Sequence, residues 1–123
     1  MRVILAAVLA TACAISPHEQ SDFVVAYHVT ASPGVACDSV KYETALGDIV
    51  TVTSPTLPWA IANSAPRGSA VQAVAWMTAT GSGQQAKLKA TWTLTGVSTA
   101  GDSSYGTTTA GGRFTLVISR RRL

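Results

Sequence analysis

Two cysteines, two histidines and six acidic residues are all that this 123-residue chain offers for covalent, metal or acid–base chemistry. Cys13 has the most telling surroundings. It follows an apolar run from Val3 to Ala12 that opens on Met1-Arg2 and closes on Ala10-Thr11-Ala12. A positive start, a short apolar stretch and small residues at its end are the marks of a secretory signal. Small residues directly before a cysteine also look like the lipobox of bacterial lipoproteins, in which the cysteine becomes the acylated, palmitate-type first residue of the mature chain. Ala10 stands where that motif usually has leucine, and Leu9 lies one place early. Two other readings stay open. Ala12-Cys13-Ala14 is an A-x-A site whose cleavage would release a secreted chain without Cys13, and the leader could remain uncut. The run falls well short of the ~20 residues of a membrane-spanning helix.

The other reactive side chains lack company. Cys37 has no nearby His or Lys cluster to favour a thiolate, so a small buried residue is expected there. If Cys13 is acylated Cys37 is a lone thiol, and if both persist in an oxidising compartment they could pair. His18 lies in a polar stretch, and His28 stands alone in the body. Metal sites need several ligands at set spacings, and none is visible. Asp22, Asp38, Glu43, Asp48 and Asp102 are scattered over expected turns and outer faces. A Ser-His-Asp set could be assembled only by picking among abundant serines. No catalytic residue, no metal and no cofactor is assigned, and a hydrolytic enzyme is the weakest of the functions considered.

These residues must be positioned by strands. The chain is 47% apolar and only 12% charged, which argues against disorder, and Thr, Ser, Val and Gly favour strands and turns. Phe23 to Thr30 alternates, with Phe23, Val25, Tyr27 and Val29 on one face. Asp38 to Thr44 places Val40 and Tyr42 inward and Ser39, Lys41 and Glu43 outward. Ile49 to Thr53 is densely β-branched. Ala70 to Thr80 is apolar on both faces and reads as central. Ala86 to Thr95 turns Leu88, Ala90, Trp92 and Leu94 in and Lys87 and Lys89 out. Val97 to Ala100 and Phe114 to Ser119 complete about seven strands. Ser54 to Trp59 reads as an edge segment that lays Trp59 over the core, Gly81 to Gln85 as a hairpin loop, and Asn63 to Ser69 as a loop. Asp102 to Gly112 reads as a Ser/Thr/Gly-rich loop and possible binding surface. Such regular short strands predict an all-β, immunoglobulin-like antiparallel β-sandwich.

The expected order along the chain is a lipoprotein-type signal peptide at 1–12, a polar tether at 13–22, the sandwich at 23–119 and a basic tail at 120–123. The net charge of +3 is concentrated in that tail, Arg120-Arg121-Arg122, read as solvated or as facing anionic lipid. A nucleic-acid binder would spread basic residues over one face among aromatics, and nucleic acid is therefore not an expected partner. Trp59 and Tyr105 are the candidate partner contacts, because a large aromatic ring next to a loop can be presented to a ligand.

Tyr27-His28-Val29-Thr30, then Ser39-Val40-Lys41-Tyr42, then Val52 with Leu57-Pro58-Trp59, resemble the MmpS family of small mycobacterial membrane proteins and related bacterial envelope proteins. Leu88, Leu94-Thr95-Gly96 and Ser103-Ser104-Tyr105-Gly106 resemble its closing hairpin and serine-glycine stretch. The resemblance spans Val25 to about Gly112 and implies an extracytoplasmic β-sandwich that works beside lipid-exporting transporters of the resistance-nodulation-division class. Those relatives carry a cytoplasmic segment and a spanning helix, where this sequence has the short leader. The expected function is a non-catalytic binding or accessory module, lipid-anchored at Cys13 to the membrane on the extracytoplasmic side of the cell envelope. Its expected partner is an envelope transporter or assembly complex. A secreted or surface structural domain, with a role in adhesion, is the alternative.

Overall fold

A computed structural model describes residues 23–94, 99–108 and 111–123. The leader, Cys13 and the tether lie outside the described residues. Eight strands form two four-stranded antiparallel sheets: β1 (Phe23–Ala31), β2 (Val35–Glu43), β3 (Ile49–Thr53), β4 (Trp59–Ala65), β5 (Ala70–Ala79), β6 (Gln85–Leu94), β7 (Thr99–Thr107) and β8 (Gly112–Arg122). The first sheet has the order β4-β1-β6-β7 and the second β3-β2-β5-β8. The molecule is an all-β sandwich, and β5, the strand with the most buried residues, is internal to its sheet.

Alternation sets which side chains meet between the sheets. Val25, Tyr27 and Val29 of β1 and Leu88, Ala90 and Trp92 of β6 face Val40 and Tyr42 of β2, Val71, Ala73, Ala75 and Met77 of β5, and Leu116 and Ile118 of β8 in one buried cluster. Val29, Val40, Leu88 and Met77 are fully enclosed. Many inward positions are alanine, which lets the sheets approach closely where Met77, Trp92 and the two tyrosines fill the remaining space.

Four sequence expectations need correction. Residues 63–65 are strand rather than loop: β4 pairs with β1 from Phe23↔Ala65 to Val29↔Trp59, and Pro58 and Pro66 merely bracket it. Residues 102–107 are strand as well, paired with β6 from Gln85↔Thr107 to Thr93↔Thr99. The glycines that made this stretch look like a loop are packing requirements. A Cβ on Gly101 would lie 2.7 Å from the Ala90 carbonyl oxygen, and one on Gly106 would lie 2.7 Å from the Phe114 ring. The segment after β5 is not a hairpin, because β5 and β6 belong to different sheets. It arches between them, and Gln84 fastens it by accepting from the Thr80 and Gly81 amides and donating to the Pro33 carbonyl.

The fourth correction concerns residues 120–123. β8 continues to Arg122, and Leu123 exchanges backbone hydrogen bonds with Gly68 and Ser69. The register with β5 runs from Ala73↔Ile118 to Val71↔Arg121, so Gln72 lies opposite both Ser119 and Arg120. This bulge reorients the following side chains. Arg120 reaches Glu43, Arg121 stands 5.4 Å from the Trp92 ring, and Arg122 donates to the Gly68 carbonyl. The basic end of the chain is part of the fold.

Candidate functional site

Among the described residues Glu43 holds the most confined charge. It lies at the end of β2 in the outward register of Ser39 and Lys41, yet is only 5% exposed. Its Oε1 accepts from Arg120 Nε at 3.0 Å and Gln72 Nε2 at 2.9 Å, and its Oε2 accepts from Arg120 Nη2 at 3.3 Å. The Arg120 hydrogen bonds hold the carboxyl below its ordinary range, against the upward push of burial. From inside the sandwich the Tyr27 hydroxyl donates to the Glu43 backbone carbonyl at 3.0 Å. Burial pushes that hydroxyl up to about 12, so it stays a donor. The cluster joins β1, β2, β5 and β8, and its geometry is that of a clasp. Sequence reading placed Glu43 outward in solvent and missed its cover. The available signal was a single acid ending an alternating strand in a chain that closes on three arginines.

Trp59 opens β4 half-buried, its ring 5.8 Å from Tyr42, which lies 5.3 Å from Tyr27. The three rings form a tilted series along one flank of the core, and Trp59 is spent mostly on packing. Cys37 is free and buried. Its thiol donates to the Ser39 carbonyl, and burial pushes its pKa up to about 11, which keeps it protonated and a poor nucleophile.

No protein-family model matches the chain, and no curated protein and no solved structure matches it either.

Tyr105 is placed differently from Trp59. It stands on the edge strand β7, 70% exposed, with Lys87 Nζ 5.0 Å from its ring centroid. The register puts Thr30, Lys87 and Tyr105 in one row across β1, β6 and β7, and His28, Lys89 and Ser103 in the next. His28, Thr30 and Lys89 are exposed. Shallow grooves run along both rows, one lined by Thr30, Ser32, Gln85, Lys87 and Tyr105 and the other by His28, Thr30, Lys87 and Lys89. This outer face of the first sheet is basic, aromatic and rich in hydroxyl groups.

The outer face of the second sheet is more apolar. Ile49 and Val117 are about half exposed, Val74 and Trp76 are partly exposed, and Lys41 Nζ lies 5.5 Å from the Trp76 ring. Asp38 is held there by Thr78, whose hydroxyl donates to its carboxylate at 2.6 Å. The strands thus put His28 on one sheet and Asp38 and Glu43 on the other. Among the described residues no three His, Cys, Asp or Glu side chains come together as a metal site.

Proposed function

We propose that this protein is a lipid-anchored, non-catalytic binding module of the cell envelope, accessory to export or envelope assembly. The observation that carries the reading is the apolar leader ending in Ala10-Thr11-Ala12-Cys13, ten residues before β1 begins at Phe23. The sandwich supports it. Among the described residues the buried polar side-chain atoms are satisfied, the most confined acid is locked to an arginine, and the grooves are open surface features suited to contact rather than enclosure. Acyl chains on Cys13, at ~0.8 kcal/mol per buried methylene, would give a stable anchor once two or more are present. Ser16-Pro17-His18-Glu19-Gln20-Ser21 would then act as the spacer between membrane and domain.

The test is membrane fractionation of the native chain and of Cys13→Ser, with intact mass of the membrane-bound form. The native protein should carry the added mass of a lipid and sediment with membranes, and the variant should be released or remain unprocessed. Unchanged retention of Cys13→Ser without any lipid mass would sink the anchor.

A further inference from the structure

We propose that the outer face of the first sheet binds a phosphate-bearing polyol, with Lys87 and Lys89 holding the phosphate and Tyr105 covering the polyol carbons. This rests on reading the domain as a binding module; the phosphate contacts are independent of the Cys13 anchor, and only the preference for a soluble polyol over a headgroup draws on it, so the two can fail separately.

The argument begins with spacing. Residues two apart on a strand stand roughly 7 Å apart, and adjacent strands roughly 4.8 Å. Lys87 and Lys89, alternate residues of β6, therefore bracket a site the size of one phosphate group. Thr30 and His28 of β1 lie directly opposite them on one side, and Tyr105 and Ser103 of β7 on the other. Threonine and serine hydroxyls donate, and imidazole keeps at least one N–H donor in either protonation state. The site so far is a patch of donors around two cations.

Charge supplies the second step. Like charges placed close together on one sheet face oppose folding, and no acid stands in either row to offset Lys87 and Lys89. The next row, Ala26, Thr91 and Gly101, is uncharged. The nearest acid along β7 is Asp102. It falls in the opposite register, across from Ala90, and its Oδ1 accepts from the Ser103 amide. An incoming dianion would relieve the repulsion and make charge-assisted hydrogen bonds to two ammonium groups.

Tyr105 narrows the class of ligand. Its ring is presented beside the lysines, with the Lys87 ammonium 5.0 Å from its centroid, a weak contact at an exposed site that leaves the ammonium facing the groove. An exposed ring next to a phosphate site suits the C–H face of a glycerol or sugar unit better than a bare inorganic anion. Position narrows it again. The tether joins the domain at Phe23, which pairs with Leu94, whereas Thr30 pairs with Lys87. The site thus lies seven residues along β1 from that junction, roughly 23 Å, towards the far end of the sheet. A soluble or polymeric polyol phosphate fits that placement better than the headgroups of the membrane holding the chain.

The test uses the full chain in detergent and, as probe, a glycerol-phosphate oligomer titrated calorimetrically at two salt concentrations. Saturable binding that weakens with salt is expected. The double variant Lys87→Gln/Lys89→Gln should bind about tenfold or more weakly, given the strength of charge-assisted contacts. Tyr105→Ala should lose about threefold, in keeping with a single aromatic contact. Lys41→Gln, on the other sheet, should bind like the native chain. No saturable binding would overturn the proposal, and so would an equal loss in Lys41→Gln, which marks unspecific charge attraction. A second arm uses phosphatidylglycerol/phosphatidylcholine vesicles. Capture that depends on Lys87 and Lys89, without binding of the oligomer, would overturn the polyol assignment and give the face to a membrane. All the substituted side chains lie on outer faces, and unchanged circular dichroism will separate binding loss from misfolding.

Discussion

Glu43 sits at the end of β2 enclosed by Gln72 and Arg120, whereas Lys87 and Lys89 stand on the outer face of β6 with no acid in their rows. At the first place a charge has been taken out of water, and it is tolerated because each carboxylate oxygen has a donor. At the second the charges keep their water and gain little from the fold. The difference teaches which charges to read as architecture and which as available for a partner. A paired, covered group contributes when the chain folds. An uncompensated, solvated group contributes when something arrives.

That contrast can be broken most strongly at Glu43. Replacing it with Gln keeps the shape and a contact to Gln72 but removes the charge facing Arg120, and should cost about 2 kcal/mol at neutral pH, below the full cost of breaking a deeply buried pair. Because the native carboxyl sits below its ordinary value of 4.5, the folded state binds its proton less readily than the unfolded chain does. Its contribution is therefore complete above that value and fades as pH falls through the lower native one. Denaturant melts of both proteins across pH 2–7 (~5 pH points) should show the gap closing under acid; a constant gap would mean the charge is irrelevant.

A smaller effect is expected from Tyr27→Phe. It removes one buried hydrogen bond to the Glu43 carbonyl and should cost about 1 kcal/mol, with the acid dependence left intact. Measured by the same melts, it separates the backbone part of the clasp from its ionic part. The smallest effect belongs to the other side of the contrast. Lys87→Gln/Lys89→Gln should change stability by less than about 0.5 kcal/mol, as exposed substitutions do, and any shift should be towards higher stability as repulsion is removed. A loss as large as that of Glu43→Gln would show those lysines to be structural and erase the distinction.

Much of the sandwich was legible because alternation speaks directly for strands packed on one face. β1, β3, β5 and β6 follow their apolar periodicity to within a residue or so. β7 was hidden because Gly101, Ser103, Ser104 and Gly106 have poor intrinsic strand preference, and what holds them extended is β6 and the space left by Phe114. The end of β4 was hidden for a similar reason, since Asn63 and Ser64 are kept in line by β1. Tertiary pairing overrides local preference in both places.

The candidate sites divide along the same line. The sequence marks Tyr105 as a candidate contact residue, and its exposure leaves it available for one. Alternation places Lys87 and Lys89 outward, but their grouping with His28 and Tyr105 depends on cross-strand register, which a single sequence does not specify. The Glu43–Arg120 pair lies 77 residues apart in sequence and depends on a bulge, so periodicity predicted the wrong company for both. Cys13 remains a matter of the leader alone.

The two flanks of the sandwich are unlike. On one, Ser104 of β7 accepts the Val117 amide of β8 and Gly106 lies tightly against Phe114 and Leu116, so the two sheets are stitched together. The other flank is edged by β3 and β4, and all four outer strands have a strand partner on one side only. A sheet grows into a fibre only by recruiting at both of its margins, one to receive and one to pass on. Here the β7–β8 margin must first give up its Ser104–Val117 contact, so edgewise recruitment is less favourable there than at β3 and β4. Growth by strand addition is thereby hindered at one flank of the sandwich and left to the side chains of β3 and β4 at the other.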